Sequence, residues 1–89
     1  MTAIIRIIGP AWEGGPADLD GLWLKAYDPD AQDGHGTIVG TKHRANAMQF
    51  TDMAAAMRCW RQPSTARPTR PDGKPNRPLT AFTIEVEQL

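Results

Sequence analysis

The 89-residue chain has one cysteine, Cys59, and a chain with one cysteine forms no internal disulfide. Nothing therefore points to an oxidising compartment. No stretch approaches the roughly 20 consecutive apolar residues that span a bilayer. The apolar start, AIIRII at residues 3–8, is too short for a signal peptide and is interrupted by Arg6. The expected setting is cytoplasmic, away from membranes. Catalytic constellations are missing as well. His35 and His43 are the only histidines, and neither has a closely spaced ligand partner of the kind zinc sites use. Cys59 lies in an alanine-rich stretch without a nucleophile signature, where a small buried hydrophobe is the default. The expectation is a protein that is not an enzyme and takes no cofactor or metal.

What is present is ordinary globular composition, 40% hydrophobic and 22% charged, in a length that suits one domain with a thin core. Residues 3–8 are short and β-branched, the signature of a strand, with Gly9 and Pro10 expected to end it. Residues 9–21 hold four glycines and two prolines and read as a loop. Residues 22–27, LWLKAY, alternate as a second strand, with Leu22, Leu24 and Ala26 on one face and Trp23, Lys25 and Tyr27 on the other. The turn formers DPDAQDGHG (28–36) join it to TIVGT (37–41), the third strand of an expected hairpin.

Thr51 stands where a helix N-cap belongs, and residues 52–62 place Met53, Ala56, Met57 and Trp60 on one helical stripe. Asp52 at the start and Arg61 at the end complement the helix dipole, and Pro63 and Ser64 stop the helix. Residues 81–89 alternate cleanly, with Phe82, Ile84 and Val86 inward and Thr83, Glu85 and Glu87 outward. The pattern βββαβ predicts a single α+β domain, a small antiparallel sheet of about four strands with one helix across a face. If the terminal strands pair, Arg6 meets Glu85 or Glu87.

Net charge is zero, yet the charges are segregated. Residues 13–33 carry six acids against Lys25, and residues 58–77 carry six bases against Asp72. Either the two segments steer a partner, or they lie together and neutralise one another. The acidic turn does not fit an EF-hand: with Asp28 first and Asp30 third, Asp33 falls where glycine is needed and Val39 where the bidentate glutamate belongs. Residues 61–78, RQPSTARPTRPDGKPNRP, hold five of the eight prolines, and Arg67, Arg70 and Arg77 each precede one. Such a segment is expected to be extended, with a turn at PDGKP. Both ends are pinned, so 62–78 is read as an ordered crossing between the helix and the last strand. A nucleic-acid reader interleaves bases with stacking aromatics, and no aromatic lies between Trp60 and Phe82. Trp12, in the Gly/Pro-rich loop, is either an exposed anchor or a lid on the core edge.

The segments YDPDAQDGHG, Trp-Arg at the helix end, and RPDGKPNRPLTAF together resemble a family of small bacteriophage and prophage proteins, over roughly residues 22–86. The resemblance implies a phage or prophage origin and an accessory role, with no catalytic residues to carry over. The resulting expectation is a non-enzymatic interaction protein bound to a host or phage protein complex, of the kind typified by inhibitors of host defence such as anti-CRISPR proteins. Its contact residues would be Trp12, the acids Asp28, Asp30 and Asp33, and the bases Arg67, Arg70, Lys74 and Arg77. The competing expectation is a nucleic-acid-binding accessory domain that uses the basic crossing.

Overall fold

The computed structural model describes residues 2–89 and shows an α+β fold. Four strands, β1 (Ala3–Pro10), β2 (Trp23–Asp28), β3 (Thr37–Thr41) and β4 (Phe82–Gln88), form one antiparallel sheet in the order β3-β2-β1-β4. A single turn, α1 (Ala31–Gly34), lies between β2 and β3, and helix α2 (Met53–Trp60) packs on β1 and β4. The core is one-sided: Ala3, Ile5 and Ile7 of β1, Leu24, Ala56, Leu79 and Phe82 are buried together. Ile4 is fully buried as well, on the opposite face, where it pairs with Glu87.

Several boundaries differ from the sequence pattern for identifiable reasons. Strand β1 does not stop before Gly9 and Pro10 but includes both. A bulge between Ile7 and Gly9 lets it continue, and Pro10 pairs with Phe82 near the end of the ladder, where a missing N–H is tolerated. Asp52, not Thr51, caps α2, because its side chain accepts from Ala55 N–H at 2.7 Å.

The alternation expected for β2 breaks at a second bulge between Leu24 and Ala26. One extra residue reverses the facing of everything after it. Ala26 therefore turns outward, and Tyr27 packs against the core beside Leu24. The same reversal carries the Tyr27 hydroxyl to the 62–78 segment, where it bonds to Gln62.

On the outer face, the register sets Arg6 opposite Glu85. Its guanidinium nevertheless lies over the Trp23 ring, 5.4 Å from the centroid, and Arg44 lies over the same ring at 5.7 Å. Glu87 is ion-paired with Arg44. Cation–π attraction to Trp23 thus takes the place of the simple cross-strand ion pair.

Candidate functional site

Residues 62–78 do not run straight across the molecule. The segment doubles back as a small hairpin: Thr69 pairs with Pro75, Arg70 N–H donates to Lys74 C=O at 2.8 Å, and Gly73 N–H donates to Arg70 C=O at 2.9 Å. Pro71 follows Arg70 at the position where its fixed φ suits a tight turn, and Gly73 takes φ 83°. The base of the hairpin is closed by Asn76. Its backbone C=O accepts from Ser64 N–H at 2.8 Å, its N–H donates to Pro68 C=O at 3.0 Å, and its side-chain amide donates to Arg67 C=O at 2.8 Å.

The acidic turn holds this hairpin down. Asp30 accepts four hydrogen bonds: from Ser64 Oγ (3.0 Å), Thr65 N–H (2.6 Å), Thr65 Oγ1 (2.8 Å) and Ala66 N–H (3.0 Å). Donors converging on a carboxylate favour its charged form. The Ala66 N–H, the Thr65 hydroxyl and the Thr65 N–H accordingly hold the Asp30 pKa down at about 2, below its ordinary 3.8. Asp33 pairs with Arg67 at 3.3 Å, and Gly34 C=O accepts from the Asn76 amide at 2.6 Å. The turn is bent to fit, with Gln32 and Asp33 in the left-handed region at φ 54° and 59°. Gly34 (φ 87°) lies so close under the hairpin that a Cβ would overlap Arg67 Cβ and come within 3.2 Å of Ser64 Oγ. At Gly36 a Cβ would stand 2.7 Å from Pro78 Cβ.

Tyr27 secures the two ends of the crossing. Its hydroxyl donates to Gln62 C=O at 3.0 Å and accepts from Leu79 N–H at 3.4 Å, while burial raises its pKa. Beyond it, Leu79 is fully buried in the core. The crossing is thus fixed by a phenol, a carboxylate, an asparagine and one apolar anchor.

This interlock redistributes the sequence candidates. Of the two expectations for the segregated charges, mutual neutralisation is what the geometry shows at Asp33–Arg67, whereas Asp30 is held by neutral donors of the same crossing. Asp28 Oδ1 accepts from Asp30 N–H at 3.0 Å and shapes the same turn. Asp30 uses its acceptor capacity within the molecule. On the outer side of the hairpin, Arg70 pairs with Asp72 at 3.5 Å. Lys74 and Arg77 take part in none of the ion pairs found among the described residues.

Trp12 is 54% exposed. It lines a groove of about 240 Å³ with His35, Arg70, Asn76, Arg77, Pro78, Thr80 and Ala81. A second groove of about 280 Å³, lined by Gly34, His35, Arg67, Arg70, Pro71 and Asn76, continues from it through shared residues. The bond from Ala11 N–H to Ala81 C=O, 2.9 Å, ties the Trp12 loop to the start of β4. An aromatic from residue 12 is thereby set beside bases from residues 70 and 77.

Ser64, Asn76, Tyr27 and His35 are not among the contact residues expected from sequence, although they build or line this face. The only local signal is a serine and an asparagine at the two ends of a proline-rich run, residue types that hydrogen-bond to nearby backbone. Elsewhere, Cys59 is half-buried against the core, and burial pushes its thiol pKa up, away from the reactive thiolate. Among the described residues, no three His, Cys, Asp or Glu side chains converge as a metal site, and no helix is long and apolar enough to cross a membrane. Compared with protein families, curated proteins and solved structures, the chain matches none.

Proposed function

We propose that this is a non-enzymatic interaction protein of phage or prophage origin, and that it docks a host or phage protein complex on the face formed by the hairpin and the Trp12 loop. The observation that carries the reading is the exposed Trp12 sharing one groove with Arg70 and Arg77. Tryptophan and arginine are the residues that dominate protein interfaces when set side by side on rigid supports. Here the support is rigid, because Asp30 and Asn76 fix the hairpin. The partner surface is acidic, to complement Lys74 and Arg77. Inhibition of a host defence complex, in the manner of small anti-CRISPR proteins, is the role that the phage resemblance adds.

The test is capture from host cells by the full chain, compared with Trp12→Ala and with Arg70→Ala/Arg77→Ala. Both variants are expected to lose the captured complex while keeping the wild-type melting temperature. Retention of the complex by both would sink the site assignment.

A second reading has one observation in its favour. The crossing lacks an aromatic of its own, but the fold supplies Trp12 as a stacking surface beside the bases. Against it, Arg67 and Arg70 are already paired with carboxylates. Two phosphate contacts, from Lys74 and Arg77, would give a slope of log K against log salt of about −1.4 on a single strand. Anisotropy with a labelled single-stranded oligonucleotide measures it. A slope near that value, lost in Trp12→Ala, selects nucleic acid over protein as the partner.

A further inference from the structure

Strand β4 is at the edge of the sheet and pairs only with β1. The register decides which of its backbone groups point away. Leu89 N–H donates to Thr2 C=O at 2.7 Å, and the ladder then runs through Ile4↔Glu87 and Arg6↔Glu85. In an antiparallel pair, hydrogen-bonded positions alternate with positions that face outward. The N–H and C=O groups of Ile84 and Val86 therefore face out of the sheet, where no strand of the described residues lies beside them.

Alongside this edge runs a groove of about 510 Å³, lined by Met53, Met57 and Trp60 of α2 and by Phe82, Ile84 and Val86 of β4, among others. Met53, on its rim, is 45% exposed. The other face of the same edge carries Glu85, which joins none of the ion pairs found among the described residues.

We propose that this edge is a peptide-binding site that takes an extended segment by strand addition, with apolar side chains alternating with basic ones. The backbone of the added segment would pair with the groups of Ile84 and Val86. Period-two alternation would then send every second side chain into the methionine-lined groove and the others onto the face of Glu85. Methionines suit such a groove because their flexible side chains adapt to different apolar shapes. A second copy of the chain is the poorer occupant, since its own β4 brings Glu85 and Glu87 onto the same face. The groove meets that of the hairpin face at Thr80, which lines both, but the strand edge at Ile84 and Val86 lies outside the hairpin face, and neither proposal depends on the other.

The test uses the full chain, isotope-labelled, titrated with the peptide acetyl-Lys-Val-Lys-Val-Lys-amide. Binding is expected to slow hydrogen exchange at the Ile84 and Val86 amides. Replacing the peptide's lysines by glutamates, or methylating its valine nitrogens, should weaken binding at least about tenfold. Val86→Pro removes an outward N–H without breaking an internal bond and should abolish pairing. If that variant does not fold, Met53→Glu on the exposed rim supplies the same comparison, with an expected loss of about tenfold. No binding, equal binding by the methylated peptide, or binding without slower exchange at Ile84 and Val86 overturns the proposal. Protection of those amides by self-association in sedimentation, without peptide, overturns it in favour of a second copy.

Discussion

The hairpin of residues 64–76 and helix α2 are both held against the rest of the fold, but by opposite means. The hairpin is held by directional polar bonds: four donors on Asp30, the Asn76 amide between Gly34 and Arg67, and Ser64 buried to 1% exposure. The helix rests mainly on apolar contact, with one polar tie from the Trp60 indole N–H to Phe82 C=O at 3.2 Å, only Ala56 fully buried and a groove left open beside Met53 and Met57. A proline-rich, basic segment has little apolar surface to bury, so its order depends on a few groups with strict geometry. The helix depends on many weak contacts that tolerate rearrangement. Substitutions on the two sides should therefore behave differently.

The largest effect is expected at Leu79, the one apolar anchor of the crossing. Leu79→Ala should cost about 3 kcal/mol, and in a domain of this size lower Tm by more than about 10 °C. Thermal unfolding followed by circular dichroism measures it. A loss under about 1 kcal/mol would mean that polar bonds alone hold the crossing. Gly34→Ala comes next. It sets a Cβ against Arg67 and forces a non-glycine residue to φ 87°, for about 2 kcal/mol by urea unfolding. Near-neutral behaviour would show that the hairpin can lift off the turn without cost.

Asp30 gives the junction a pH signature. Its pKa is held at about 2 in the fold against an ordinary 3.8. A carboxylate with a lowered folded pKa stabilises fully above the unfolded value, and the contribution fades as pH falls through the folded one. Wild type should therefore lose stability between about pH 5 and about pH 2.5, and Asp30→Asn should lose less over the same interval. Urea midpoints for both proteins across that range decide it. Parallel curves would mean that the charge on Asp30 is not what secures Ser64, Thr65 and Ala66.

The same contrast explains what can be read from the sequence. Strands and helix announce themselves through period-two and helical spacing, which depend on burial of local patterns. The alternation of Phe82, Ile84 and Val86 marks β4 almost to the residue. Bulges are invisible, because one inserted residue leaves composition unchanged, and so strict alternation puts Tyr27 on the wrong face. The interlock is harder still. Charge segregation allows both steering and neutralisation, and only three-dimensional proximity brings Asp30 to Ser64 and Ala66, 34 and 36 positions away. The pairing of Trp12 with Arg70 and Arg77 has no local signal, because it joins a loop near the start of the chain to a hairpin near its end.

The smallest effect is expected where the comparison is most exposed to disproof, on the rim of the α2 groove. Met53 is the first residue of the helix and 45% exposed. Met53→Ser removes an apolar side chain comparable in size to Leu79, but from a position where water already reaches it. No cavity forms, and serine is acceptable in a first helical turn, so stability should change by no more than about 0.5 kcal/mol. Its urea midpoint, set beside that of Leu79→Ala, separates the two kinds of attachment directly. If Met53→Ser instead cost as much as the buried leucine, the groove would have to be closed in solution, and α2 would be held as tightly as the hairpin.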